Sequence, residues 1–431
     1  MKIRALRRMT GFLRKRLSEL KLGQTRDPRH RQGRRWDLSQ LVGSMLLGLM
    51  AGCGSLAQTE ELTEDLSRTL RRMFRIPRRI ADTTLRSTAC RLGVESLRVV
   101  LHRAVQAARR RKALAPVVLP FHMVAMDGKA TAITSWEGPY AQRKIPDKGK
   151  PYGLVRTVTS TLATAQSKPV IDVSPIPAHT NEVGHFKTAF VDLCEAYGGL
   201  FTLVSYDAGA NSEANGQLVV DHDKHYLFHM ADGQRHMTQL SKELLATKPG
   251  VATTVDTLNN KTEVRRSLRI MRVHDHGQAA HRSFIWAHTQ TILQVDSETW
   301  ELDKDGTSKC VSHESRVFCS SLPKDDIFPQ QWLGAVRLHW RVETCHQIAD
   351  TAFLEDAKPW IVNDPKGMLA VLILRRIAQT LLGLFKDVTL RSEENRSLPW
   401  RRLMRWVFKT LMVTVDQTLV GMPNAEPYAT R

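Results

Sequence analysis

The chain has 431 residues, 42% of them hydrophobic and 25% charged, so it is long enough for several packed cores and far from the composition of a disordered or collagen-like polypeptide. Its 63 Lys and Arg against 43 Asp and Glu give a formal net charge of +20. Six cysteines (Cys53, Cys90, Cys194, Cys310, Cys319, Cys345) are scattered without a CxxC pair or zinc-type Cys/His spacing. That argues against a disulfide scaffold or a structural zinc and for a reduced, cytoplasmic protein.

The charge is concentrated at the start. Residues 1–115 hold 27 of the basic residues and 9 of the acidic ones, a net of +18, which leaves the remainder nearly neutral. A basic segment ahead of a near-neutral body is the pattern of a polyanion-binding module, because each Lys or Arg laid on a phosphate releases condensed counterions. Within it, Leu6, Met9, Leu13, Leu17 and Leu20 fall at helical spacing among arginines and predict a basic amphipathic helix over residues 1–21. A Pro/Gly-punctuated basic loop with Arg34 and Arg35 follows, and Asp37 is placed to cap a helix at the start of the uncharged run Leu38 to Gln58. The strongly apolar part of that run, Leu41 to Ala57, is shorter than the roughly 20 residues a membrane span needs and holds four glycines, so it predicts a buried core helix rather than a span.

A helix near Glu60 to Met73, a break at Pro77 and a short helix starting at Asp82 or Thr83 and ended by Gly93 follow the order of a helix-turn-helix. On that reading Arg78, Arg79, Thr84, Arg86 and Arg91 are candidates for DNA contact; simple helix packing is the alternative. A helix over Glu95 to Lys112 and a linker over Ala113 to Pro120 close a basic helical DNA-binding domain, residues 1–115.

From Val117 the pattern changes to strands. VVLPFHMVAMD predicts a buried strand ending in Asp127, and Val155 to Ile176 a hairpin about AQSK. Asn181 to Gly198 places Val183, Phe186, Phe190, Leu193 and Tyr197 on one helical face; LFTLVSYD predicts a second buried strand, ending in Asp207; a helix over Ser212 to Val220 leads to the strand HYLFHM. These make the first part of an α/β core, residues 116–252. EVRRSLRIMRVH, RSFIWAHTQTILQVDSETWEL and HESRVFCSSL predict an antiparallel β-rich insertion over 253–325, and the helices Pro329 to Phe353 and Met368 to Phe385 a C-terminal helical part over 326–431.

Open α/β sheets bind ligands outside the carboxyl ends of their strands, so Asp127 and Asp207 become neighbours if their strands lie side by side. Two such carboxylates repel unless a cation sits between them, and hard oxygen donors suit Mg²⁺ or Mn²⁺. A third acid can come from a helix on the sheet. Glu343 is the candidate, on a face shared by Val336, His339, Trp340, His346, Gln347 and Asp350, with Glu355 and Asp356 close behind.

Taken together, DPRHRQGRRWDLSQLVGSMLLGLMAGCGSL, VAMDGKA, HTNEV, SYDAG, the Tyr226 strand, ESRVFCSSL and VRLHWRVE, in that order, resemble bacterial insertion-sequence transposases of the DDE type, the branch with a β-rich insertion between the second Asp and the Glu. The resemblance implies a ribonuclease-H-like catalytic fold behind the all-α basic domain. It implies an enzyme that binds the ends of a mobile element and carries out metal-dependent DNA strand cleavage and transfer, with two Mg²⁺ or Mn²⁺ ions held by Asp127, Asp207 and Glu343. Lys129 matches the residue after DG, Asn181 and Glu182 the NE pair, His339 and Trp340 the HW dipeptide, and Asp350, Phe353, Glu355 and Asp356 the D..F.ED tail; Thr344 stands where the family usually has Asn. Lys129, Arg337 and His339 are candidates for steadying the scissile phosphate. The implied partner is double-stranded DNA, both element ends and target, met by a homodimer at the nucleoid in the cytoplasm, with no membrane. A metal-dependent nuclease without joining activity and a catalytically inactive DNA-binding remnant remain the alternative readings.

Overall fold

The computed structural model describes residues 3–206, 209, 211–230, 235–258, 262–275, 285–302, 308–390 and 392–413. Six helices come first: α1 (Ile3–Glu19), α2 (Leu38–Ala51), α3 (Leu56–Glu64), α4 (Arg68–Phe74), α5 (Asp82–Arg91) and α6 (Val94–Arg110). The apolar stripe of α1 turns inward, with Leu6, Met9, Leu13 and Leu20 all buried. At α2, the Asp37 amide donates to Oε1 of Gln40 at 2.9 Å, and nearly the whole helix is buried; the expected core helix over Leu41 to Ala57 ends at Ala51, where Gly52 takes a left-handed conformation before the chain turns into α3. The segment read as one helix from Glu60 to Met73 is two. Ser67 accepts a hydrogen bond from the Leu70 amide and starts α4 afresh, and Leu66 turns its carbonyl to Arg71. Gly93 ends no helix: it precedes α6 as its N-cap.

The sheet is mixed. β1 (Met123–Ile133) lies antiparallel to β3 (Tyr152–Leu162), whose far edge is shared by β2 (Ala141–Lys144) and β4 (Val170–Ile176). After α7 (Glu182–Tyr197), β5 (Leu203–Ser205) joins the other edge of β1 in parallel; α8 (Glu213–Asp221) then leads to β6 (His225–His229), parallel to β5. Helix α9 (Arg235–Ala246) precedes a meander of β7 (Ala252–Leu258), β8 (Thr262–Arg272), β9 (Thr291–Leu302) and β10 (Ser308–Ser320), and β10 pairs antiparallel with β6. The β-rich insertion therefore continues the main sheet. The chain closes with α10 (Pro329–His339), α11 (Arg341–Thr351), α12 (Pro365–Gly383) with a π-helical turn over Leu384–Thr389, α13 (Glu393–Arg396) and α14 (Trp400–Val413).

The expected strand ends differ in one respect that matters. Residues 117–121 are not strand: Pro116 makes only an isolated bridge with Ala165, and Pro120 has no amide hydrogen with which to continue it, while β1 runs six residues beyond Asp127, which pairs with Thr159 in mid-strand. Alternation along β1 gives each face its own core: Met123 and Ala125 pack with α10, and Val124 and Met126 with Phe186 and Phe190 of α7. Helix α12 is long and apolar enough to cross a membrane by composition, yet its apolar window is wholly buried, against α2, α5 and α6.

A buried ion pair joins the N-terminal helices to the sheet. Arg98 of α6 donates to both carboxylate oxygens of Asp172 in β4 at 3.1 and 2.7 Å, His102 lies 3.0 Å from the same carboxylate, and Arg98 also reaches Asp192 and Glu95. Burial alone would raise the Asp172 carboxyl, but the hydrogen bonds from His102 and Arg98 outweigh it and hold it at about 2. Since the unfolded chain takes up this proton first, at the ordinary 3.8, the pair's stabilisation is complete above that pH and is lost as pH falls towards 2. Urea unfolding of the wild type is expected to weaken over this window. Asp172→Asn should lose that component and be less stable at pH 7 by about 3 kcal/mol, the lower end for a broken buried pair because Asp192 and Glu95 still face Arg98.

Candidate active site

On β1, Asp127 and Lys129 point to the face covered by α10 and α11, and Gly128 to the face of α7. The carboxyl end of Glu182, in the first turn of α7, occupies the space a β-carbon on Gly128 would take, so any larger residue there would have to displace that side chain. The DG step and the NE pair of the sequence thus meet across one strand. Asp127 accepts a hydrogen bond from the Gly128 amide at 2.8 Å, and its other oxygen lies 3.3 Å from Nδ1 of His346 on α11. The Nε2 of His346 is buried with no hydrogen-bond partner among the described residues.

The helical stretch from Pro329 to Phe353 is not continuous. It breaks at Trp340, whose ψ of 0° separates α10 from α11. The break lets each helix make its own contact with the sheet: His339, ending α10, sets Nδ1 3.0 Å from the hydroxyl of Ser205, the last residue of β5, while α11 reaches Asp127 through His346. Glu343 lies on α11 three residues before His346, one turn away on the same face, and is exposed. Asp207 lies outside the described residues.

Lys129 is not presented to solvent. Its ammonium is held by Asp350, by Glu355 at 3.0 Å and by Asp356 at 3.7 Å, and its side chain is only 10% exposed. As a phosphate ligand it is unavailable in this arrangement, because three carboxylates already neutralise it. Asp350 is on α11; Glu355 and Asp356 follow a turn in which Leu354 takes φ 55°, a left-handed conformation costing about 1 kcal/mol that swings the next carboxylate inward. Glu355 is completely buried and bidentate on Arg376 of α12, at 2.9 and 3.0 Å. Burial would raise its carboxyl, but Arg376, Lys129 and Arg375 prevail and hold it at about 2. Burial and the adjacent acids push Asp356 the other way.

These three acids are a group among the described residues whose ligand atoms converge tightly enough for a metal, within 4.8 Å of one another. They fit a metal poorly, since the Lys129 ammonium already stands among them. Asp127, by contrast, has a histidine and the Gly128 amide rather than an ammonium as its partners among the described residues, and with Glu343 exposed one helical turn from that histidine, it offers the hard oxygen donors a divalent ion prefers.

Arg337 is 42% exposed and bonds Asp256 of β7 at 2.8 Å, an acid shared with Arg266 of β8. Both line an open groove of about 470 Å³ between β8–β10 and the α10–α11 break. Arg316 stacks on Trp340 in its wall, 5.0 Å from the ring centre, and half-buried Arg341 is pulled down by desolvation and then by Arg337. In the N-terminal helices, Arg35, Arg78, Arg86 and Arg91 are exposed, with Arg78 stacked on Trp36 at 4.9 Å. Arg79 is tied to Glu60, Arg34 to Asp27 and the Arg29 carbonyl, and Thr84 is half-buried. His346, Ser205 and the Glu355–Arg376 pair had no assigned role in the sequence; only the position of His346 on the Glu343 face pointed to it.

No protein-family model matches the chain, and no curated protein sequence is significantly similar to it. Among solved structures it is similar to the cryo-EM structure of a piggyBac transposase synaptic complex with hairpin DNA, at 11% identity over 98% of this chain and 82% of that one, with a TM-score of 0.44.

Replacing Lys129 with Met is expected to leave Glu355 and its neighbours under-compensated and to cost about 3–5 kcal/mol of stability. The vacated position then suits a divalent cation, so millimolar Ca²⁺ should raise the melting temperature of Lys129→Met and leave the wild type unchanged. Equal calcium responses would show that the ammonium does not occupy the cation position.

Proposed function

We propose that the chain is a DNA transposase, in which the basic N-terminal helices grip the ends of a mobile element and a ribonuclease-H-like core cleaves and joins strands. The observation that carries this reading is the contact of His346 with Asp127: it lays α11, and with it Glu343, over the central strand that bears the first candidate acid. The order of the strands supports it. An antiparallel meander of β1, β3 and β4 is extended on the other edge of β1 by two parallel strands, and β5 ends two residues before Asp207.

Asp127, Asp207 and Glu343 are the residues that would hold two Mg²⁺ or Mn²⁺ ions, which supply Lewis-acid activation of the attacking hydroxyl and charge neutralisation at the leaving oxygen. The chain's own groups orient these donors. Gly128 fixes one oxygen of Asp127 through its amide, His346 meets the other, and the Lys129 cluster clamps α11. His339, on Ser205 beside the carboxyl end of β5, and Arg341, in the groove next to Thr344, are the groups that would steady the scissile phosphate, with Arg337 joining them only on leaving Asp256. The working unit is proposed to be a homodimer, since two ends must be paired, acting on DNA at the nucleoid in the cytoplasm.

Asp127→Ala, Asp207→Ala and Glu343→Ala are each expected to abolish Mg²⁺-dependent cleavage of an element-end duplex while leaving end binding within about twofold, because the charge that binds lies elsewhere. Full cleavage by any one of them removes the assignment. A plasmid integration assay separates the transposase, which yields insertions, from a nuclease that leaves only free ends.

A further inference from the structure

The last described helix carries charge that the function has not absorbed. One side of α14, Leu403, Met404, Val407 and Leu411, is at most 3% exposed and packs towards α1 and α2. On the other side Arg402, Arg405 and Lys409 are exposed, within an arc of about 60° and along about 10 Å of axis. None of the three pairs with a carboxylate among the described residues, whereas Arg401 is spent on the Thr351 carbonyl at 2.9 Å. With Pro399 and Trp406 they line an open concavity of about 510 Å³ that contains no acid among the described residues.

The helix is fixed relative to the candidate active site. Arg401 holds the end of α11, and Trp400 packs on Phe353 with ring centres 6.4 Å apart. Thr351 lies eight residues after Glu343, about 12 Å along α11. Successive phosphates of one DNA strand advance about 3.4 Å along the duplex axis, so a row of this length covers about three phosphate steps, enough for each of the three cations to meet its own phosphate.

We infer that the exposed face of α14 is a second DNA-binding surface, a row of three phosphate contacts that takes the backbone of a duplex leading away from the candidate active site. The inference rests on the reading of the chain as a DNA-processing enzyme, and it places a contact outside the basic N-terminal helices. An anionic bilayer is the other polyanion such a row could meet. A surface-bound helix needs an apolar side to insert, and here that side is consumed by packing, with Phe408 alone left 41% exposed.

The test uses the full-length chain and the triple variant Arg402→Ala/Arg405→Ala/Lys409→Ala. All three side chains are exposed, so the thermal midpoint should hold, and a control triple at Arg35, Arg86 and Arg91 removes the same charge from the N-terminal helices. Affinity for a 40-base-pair duplex is measured by fluorescence anisotropy between 50 and 300 mM NaCl. The α14 triple should flatten the slope of log K against log[salt] by about 2.7, at roughly 0.9 per lost contact. Combining both triples should flatten it further, each surface contributing separately. An unchanged slope in the α14 triple, with wild-type binding intact, overturns this inference alone. Loss of binding to vesicles containing phosphatidylserine, with the DNA slope unchanged, overturns it in favour of a membrane. Failure of the wild type to bind DNA removes the transposase reading as well.

Discussion

The ammonium of Lys129 amid Asp350, Glu355 and Asp356 is the contact on which the candidate site depends. Lys129 and Glu355 would each be costly to bury alone, and a charge removed from water is tolerated only when its partners surround it; Asp350 and Asp356, 37% and 54% exposed, close the cluster from the solvent side. Here the partners come from three elements: Lys129 from the central strand, Asp350 from the helix that crosses it, and Glu355 from the turn beyond, which is tied in turn to Arg376 of the buried α12. A sideways or axial slip of α11 would separate charges inside a region of low dielectric. The cluster therefore fixes α11 on β1 far more firmly than apolar packing alone would, because apolar contact is not directional.

Two further features follow from that register. With Asp350 level with Lys129, one helical turn back brings His346 level with Asp127, since four helical residues and two strand residues advance by nearly the same length, about 6 Å. The same matching leaves no room for a straight continuation into α10, whose end must reach Ser205 on the adjacent strand, and the chain accommodates both contacts by breaking at Trp340. On the opposite side of β1, the carboxyl of Glu182 from α7 lies in the space left by the missing β-carbon of Gly128. One strand thus positions helices on both of its faces.

Much of this was legible in the sequence where the signal is local. The amphipathic spacing of α1, the position of Asp37 just ahead of α2 and the β3–β4 hairpin follow from periodicity and turn chemistry, and the structure holds them where the pattern puts them; of the expected α7 face, Phe186, Phe190, Leu193 and Tyr197 are buried while Val183 is 46% exposed. The restart at Ser67 and the break at Trp340 were missed because apolar spacing runs through both positions without interruption; what divides the helices is a hydroxyl on an amide in one case and two competing tertiary contacts in the other. Helix α9 and strand β7 also went unread. Asp127 and Glu343 stood out as acids on elements of the expected type. The fate of Lys129 did not, because its partners lie more than 200 residues away and no local pattern distinguishes a lysine bound for a carboxylate cage from one bound for a phosphate.

The same distinction governs how the net charge should be read. Counting residues assigns nearly all of it to the first 115, yet several of those arginines are neutralised within the fold: Arg98 by Asp172 and Asp192, Arg79 by Glu60, Arg29 and Arg34 by Asp27. A cation already paired at hydrogen-bond distance releases little on meeting a phosphate, because it must first give up its carboxylate. What a polyanion meets is the unpaired remainder. That remainder includes Arg86 and Arg91 at one end of the chain and Arg402, Arg405 and Lys409 at the other, and the packing of α12 on α2 and α5 and of α14 on α1 and α2 brings those two ends of the sequence into one body. Which cations stay free is thus set by folding, and the free ones are distributed over both ends of the sequence although the formal charge is not.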